Sequence, residues 1–203
     1  MQKYHSYKEL QENETIGKDY RIRKRYGKSG IAVMAPHGGG IEPGTTEIAE
    51  AVAGDVHTFY TFSGLKEIGN AQFHIASRNF DEPIGIEIAK NSRTILTIHG
   101  CKESEKLIYI GGRDERLKEK VRESLLEANF SVLETPRFSG KNPFNICNRS
   151  RSCMGVQLEI SAGVRREIFR DLSRIHRKKS TRLFDQFVKA IRDALSEHAN
   201  DLK

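Results

Sequence analysis

No window of this 203-residue chain approaches the ~18 consecutive apolar residues that a membrane-spanning helix needs, so no membrane partner is expected. The first residues, MQKYHSYKELQENE, contain no apolar core of a secretory leader. They set the expectation of a cytoplasmic product that reaches the exterior only on cell lysis. Three cysteines, Cys101, Cys147 and Cys153, form no CxxC pair and no disulfide framework, which predicts reduced thiols. Internal repeats and low-complexity linkers are absent as well. The length suits one domain with a sizeable core and would cramp two, so residues 1–203 are read as a single domain.

What the chain has in excess is positive charge. The formal net charge is +7. Such a balance favours polyanionic partners by long-range steering and says nothing about fold. The densest basic stretch, 165–182, reads as a solvated helix face and loop. It lacks the interleaved aromatic residues of a stacking platform, which argues against nucleic acid as the partner.

Short apolar runs alternate with helical patterns, which points to an α/β layer architecture. Strands are expected at 30–35 (GIAVMA, stopped by Pro36), 56–62, 71–76, 94–98, 107–110, 130–133 and 155–160. Helices are expected after a Thr45 or Thr46 cap, from Pro83, at 114–129, at 163–174 and at 181–199. Strand order is not readable from the pattern.

The most informative segment is APHGGGIEPGTTE, between a buried-looking strand and a helix. In open α/β sheets, ligand sites form beyond the carboxyl ends of strands. His37 stands at such an end, and Gly38 to Gly40 free the backbone to fold Glu42 back towards it. Zinc accepts imidazole nitrogen and carboxylate oxygen, and a catalytic zinc takes three protein ligands and leaves one position open. The third ligand has to come from another strand end. His99 fits, because TILTI leads directly into His99-Gly100. A base is also required, and Glu159 in GVQLEIS is the candidate, with a raised pKa expected in an apolar sheet environment. Taken singly, each has a plainer role: His37 a loop histidine, Glu42 a helix-entry charge, His99 a hydrogen-bonded strand-end histidine, Glu159 a salt-bridged acid. Their joint placement at strand-to-loop junctions favours a metal site. His74 is a second-tier candidate for a neighbouring or substrate-contacting role, and Asp81-Glu82-Pro83 reads as a helix entry.

The segments PHGGGIEPGTTE, NFDEP, HG, IGG, NICNRS and GVQLEIS, in that order, resemble the poly-γ-glutamate hydrolases, a family of phage- and prophage-type enzymes. The resemblance runs over about 4–166. It implies a single α/β domain with an open mixed sheet flanked by helices, related to the zinc carboxypeptidases. It also implies one zinc ion and cleavage of γ-glutamyl amide bonds in poly-γ-glutamate. Carried over by motif, the ligands fall on His37, Glu42 and His99, and the base on Glu159. The ligand spacing here is HxxxxE, wider than the carboxypeptidase HxxE. For the arginine that grips a substrate carboxylate, Arg149 of the Asn148-Arg149 pair is the first choice and Arg78 the second. In the carboxypeptidases the corresponding pair precedes the last histidine ligand, whereas here it follows His99.

The expected function is therefore a monomeric zinc hydrolase of γ-glutamyl polymers. Two alternatives stand beside it: a zinc N-acyl amino acid deacylase, and a non-catalytic basic phage-type protein that binds nucleic acid. Bound zinc separates the first two from the third. Polymer shortening, as against release of a small acid, separates the first from the second.

Overall fold

The computed structural model describes residues 3–179 and 181–201. Thirteen regular elements alternate along it. Helix α1 (Tyr7–Asn13) precedes β1 (Tyr20–Arg25), β2 (Ile31–Gly39), α2 (Thr45–Ala53) and β3 (Thr58–Gly64). Then come α3 (Pro83–Asn91), β4 (Thr94–Gly100), β5 (Ile108–Gly112), α4 (Glu115–Glu127) and β6 (Val132–Leu133). The last are β7 (Val156–Ile160), α5 (Ala162–Phe169) and α6 (Arg182–Asp201). The strands form one open mixed sheet in the order β1-β3-β2-β4-β7-β5-β6. β3, β2, β4 and β7 run parallel, while β1 and β5 are antiparallel to their neighbours β3 and β7.

The central strands are apolar along their length because both faces of the sheet are covered. Side chains alternate, so β2 sends Ile31, Val33 and Ala35 into one core with α2, α4, α5 and α6. Ala32 and Met34 enter a second core with α1 and α3. The chain leaves β2 through α2 to β3, then returns across β2 through α3 to β4. The order of strands therefore reverses between β2 and β4, which opens a crevice at their carboxyl ends. His37 and His99 stand on those two ends.

Several local expectations are corrected. β2 does not stop at Pro36 but continues to Gly39. Its pairing with β3 shifts between Ala35 and Gly38, so the proline sits in a bulge, where its missing N–H breaks no ladder. Neither Thr45 nor Thr46 caps α2, which is entered through Gly44 at φ +100°. Thr45 donates instead to the Glu42 carbonyl, and Thr46 joins a hydroxyl trio with Thr61 and Ser63. The 71–76 segment is not a strand; a 3-10 turn at Asn70–Phe73 leads into extended chain. The helix expected at 163–174 ends at Phe169. The basic stretch 165–182 is not wholly solvated either, because Arg165 and Arg177 are buried. The charge-rich β1 carried no apolar signal and was not anticipated. Glu82 does enter a helix, accepting the Ile84 and Gly85 N–H groups at the start of α3.

Candidate metal centre and cleft

The turn after β2 brings the first two ligand candidates together. The Ile41 N–H donates to the Gly38 carbonyl at 3.2 Å, and the Glu42 N–H donates to the His37 carbonyl at 2.9 Å. Gly38 is required in this turn, since a Cβ there would lie 2.1 Å from Thr46 Oγ1 and 2.2 Å from Thr61 Oγ1. Folded this way, Glu42 Oε1 lies 3.0 Å from His37 Nδ1. Glu42 Oε2 accepts the Gly100 N–H at 2.8 Å and lies 3.6 Å from His99 Nδ1. The two Nδ1 atoms are 3.1 Å apart. His37 Nε2–H donates to the Ile75 carbonyl at 2.7 Å, which leaves the Nδ1 lone pair facing the other two groups. The segment that was expected to be a strand thus supplies the carbonyl that fixes this tautomer.

Charge is distributed to suit a cation. Burial pushes His37 down to about 4, so its ring is neutral at pH 7. Burial works against Glu42, but the facing rings of His37, His74 and His99 hold it well below the usual carboxylate range. Burial likewise lowers His99, yet contact with Glu42 and the charge of Glu159 leave it above the ordinary imidazole value. Four-coordinate ligands about 2.0–2.2 Å from zinc stand roughly 3.3–3.6 Å from one another. The two Nδ1 atoms, 3.1 Å apart, are close to that spacing, each has one Glu42 oxygen near it (Oε1 at 3.0 Å from His37, Oε2 at 3.6 Å from His99), and the donor set is two imidazole nitrogens and one carboxylate. The residues fit a zinc ion.

Glu159 occupies the β7 position paired in register with His99, and both face the same side of the sheet. Burial pushes its carboxyl up to about 7. It and the three convergent residues line an open cleft of about 670 Å³. His74 stacks on His37 at 3.9 Å between ring centroids and places Nε2 3.5 Å from Glu42 Oε1. The structure thus brings five of the sequence candidates to one place.

Three it does not. Asn148 is buried and donates its amide to the Gly140 and Asn142 carbonyls. Arg149 donates to the Phe144, Phe80 and Arg78 carbonyls, each at 2.8 Å. Arg78 is exposed, and neither it nor Arg149 lines the cleft. The guanidinium groups that do are Arg165 and Arg137. Arg165 is 4% exposed and donates to the Ile160, Pro43 and Cys101 carbonyls at 3.0, 2.7 and 2.6 Å. It ties the ends of β7 and β4 to the Glu42 turn, and only a glycine fits at position 100, where a Cβ would lie 2.7 Å from its Cζ. Arg137 lies over the Phe138 ring, pairs with Glu103 and keeps an exposed side chain. Nothing in the sequence marked either arginine: one was hidden in a basic run, the other in a loop without pattern.

The sequence profile described as poly-gamma-glutamate hydrolase matches residues 4–190. The chain is 38% identical over 170 residues to the SPbeta prophage-derived UPF0714 protein YoqZ of Bacillus subtilis (strain 168). That alignment covers 82% of this chain and 61% of YoqZ, so the chain spans less than two thirds of that relative. A bacteriophage poly-gamma-glutamate hydrolase superposes with a TM-score of 0.96 at 32% identity, covering 100% of both chains. Zinc-free, apo YndL superposes with a TM-score of 0.93 at 31% identity, covering 98% of this chain and 99% of that one.

Proposed function

The chain belongs to the poly-gamma-glutamate hydrolase family, and from that premise we propose that it is a zinc-dependent amidohydrolase cutting the γ-glutamyl bonds of poly-γ-glutamate. The observation that carries this reading is the convergence of His37, Glu42 and His99 beside Glu159 in one open cleft. His37 Nδ1, His99 Nδ1 and the Glu42 carboxylate would hold the ion. When bound, zinc supplies Lewis acidity to a water molecule and to the scissile carbonyl.

The chain's own residues do the rest. Glu159 accepts the proton of the attacking water and delivers it to the departing amine nitrogen. Its burial favours the proton-carrying form enough for it to act as base and then as acid near neutral pH. The His37–Ile75 hydrogen bond holds one ligand ring in a single tautomer, and Arg165 holds the Glu42 turn against the ends of β4 and β7. His74, half-exposed at the rim, donates to substrate. Arg137 takes the place expected of Arg149 and Arg78 as the carboxylate grip, because it is the cleft guanidinium with an exposed side chain. The site is complete within one chain, so a monomer suffices.

Substrate choice follows from where the carboxylate hangs. In the γ-linked polymer it sits on the carbon beside the amide nitrogen; in the α-linked polymer it lies two methylenes off the backbone. A guanidinium at the cleft edge grips one placement and misses the other. The test is to incubate zinc-loaded protein with γ- and α-linked polyglutamate of matched length at low salt and to follow polymer size by chromatography. Shortening of the γ-linked chain alone is expected. Equal cleavage of both, or release of a small acid from acylated amino acids without shortening, would overturn the reading.

A further inference from the structure

The turn that carries Glu42 has a second side. Gly39 and Gly40 also wall a separate cavity of about 630 Å³. Cations reach it from two directions. Arg21 and Arg23 stand on the edge strand β1, and Arg174, Arg177 and Lys178 stand on the segment between α5 and α6. The acids opposing these five are two, Glu47 and Glu50 of α2. Glu50 is engaged by Arg23, and Glu47 lies 3.1 Å from Arg177. Burial raises the Glu47 carboxyl, and the facing Arg177 opposes that rise. Among the described residues, neither Glu47 nor Glu50 pairs with Arg21, Arg174 or Lys178, and Arg174 donates to the Leu65 and Lys66 carbonyls at the rim.

Arg177 is the second observation. Its side chain is 5% exposed, it donates to the Gly39 carbonyl at 3.0 Å, and among the described residues its Nε–H has no acceptor. A buried guanidinium with an unmet donor is costly unless something completes its shell. The rings at this cavity, Phe169 and Phe184, are buried in the core, so no exposed aromatic face is offered for base stacking. Forked guanidinium groups match carboxylates instead.

We propose that this cavity is a second carboxylate-binding site, which takes carboxylates of the γ-linked chain beyond the stretch lying over His37, Glu42 and His99. The identity of the polymer rests on the function proposed above. The two cavities share the 38–42 turn as a wall, Gly39 and Gly40 lining one and Ile41 and Glu42 the other, and the γ-linked chain offers one carboxylate per residue. Engagement at the second site raises the effective concentration of the polymer at the first.

The test uses the full chain in two arms. In the binding arm, Glu159→Gln protein is titrated with intact poly-γ-glutamate, with the γ-linked glutamate dimer and with a short DNA duplex, following the Nε–H resonance of Arg177. Saturable shifts with the polymer or the dimer are expected. Tighter polymer binding assigns the site to the incoming chain, and equal binding assigns it to released product; either sustains a carboxylate site. Shifts with DNA alone, or with none of the three, overturn it. In the kinetic arm, Arg21→Gln/Arg174→Gln protein is compared with wild type on long polymer and on the dimer. Loss of two exposed charge contacts should lower the polymer-to-dimer ratio of kcat/KM by about five- to tenfold. An unchanged ratio counts against the proposal. If wild type cleaves neither substrate, the hydrolase reading fails while the binding arm still decides the pocket.

Discussion

Replacing Arg165 with methionine separates two roles that a cleft arginine could have. The side chain is 4% exposed and its guanidinium donates to three backbone carbonyls, those of Ile160, Pro43 and Cys101. Methionine keeps an unbranched stem and removes every donor. A buried acceptor left unmet costs ~1–3 kcal/mol. The Ile160 and Cys101 bonds are buried and the Pro43 bond is partly so, which together make roughly 3–7 kcal/mol. Relief of the desolvation of a buried cation offsets part of this, leaving a net loss of about 2–5 kcal/mol. That is a large fraction of the ~5–15 kcal/mol that holds a domain folded. In urea unfolding the midpoint should drop accordingly. Arg165→Lys should remain unstable too, since one ammonium cannot reach three carbonyls in this arrangement. Zinc affinity should fall with stability, because Pro43 adjoins Glu42 and Cys101 lies two residues from His99. The reasoning is refuted if Arg165→Met unfolds at the wild-type midpoint while KM for a γ-linked dimer rises. Arg165 would then be a substrate grip rather than a tie between strand ends.

Five further outcomes are expected. His99→Ala should lose tight zinc, read by metal analysis after dialysis; undiminished stoichiometric zinc would remove His99 from the ligand set. Because His99 lies above the ordinary imidazole value, zinc binding near pH 6.5 should release protons, seen as a buffer-dependent enthalpy in calorimetry. Glu159→Gln should keep zinc and lose ~10²–10⁴-fold in turnover. In the wild type, burial sets Glu159 at about 7 and a bound dication draws it lower, so the acid limb of kcat/KM should fall at or below pH 7. Activity then declines as pH drops through that limb, since a protonated carboxyl cannot accept the proton of water; a profile flat from pH 5 to 8 would place the base elsewhere. Arg137→Gln should raise KM for the γ-linked polymer about tenfold or more with kcat within a few-fold, and an unaltered KM would leave the carboxylate grip unassigned.

The parts of this protein legible in its sequence are those whose signal is local. IAVMA and TILTI read as buried strands because apolar runs of that length have few other uses, and a histidine, one place beyond Pro36 in the first case and directly following in the second, marked the strand end. Glu159 was legible through alternation in VQLEI. What escaped was set by distant partners. The bulge at Pro36 depends on the register of β2 against β3, whose partners lie some 25 positions apart and whose pairing no periodicity encodes. Arg165 and Arg177 look like solvated helix charges until the carbonyls of Cys101 and Gly39 are brought to them. Arg149 has the residue type wanted at a substrate site, but the Phe80 and Arg78 carbonyls, some seventy positions away in sequence, claim its donors. Residue type and spacing identify groups able to do the chemistry; long-range backbone acceptors decide which of them are free to do it.

The same distinction explains how one cleft keeps two glutamates in opposite states. Glu42, in the turn after β2, and Glu159, near the end of β7, are both largely shielded from solvent, and burial alone would raise both. They diverge because of what faces them. Glu42 accepts the Gly100 N–H and looks onto three imidazoles, so its ionised form is held and it can serve as a ligand. Among the described residues no hydrogen bond reaches the Glu159 carboxylate, and its nearest charges partly cancel, His99 lowering it and Glu42 raising it. Its proton is therefore exchangeable near neutral pH, which a base that must later act as acid requires. The difference originates in the turn at Gly38 to Glu42, which aims one carboxylate at the histidines and leaves the other alone on its strand. A substitution that opens this turn, such as Gly38→Ala against Thr46 and Thr61, should therefore disturb metal binding and the Glu159 pH limb together, although it touches neither histidine nor Glu159. If zinc affinity fell while the pH limb stayed fixed, the two carboxylates would be set independently and this account of their division would be wrong.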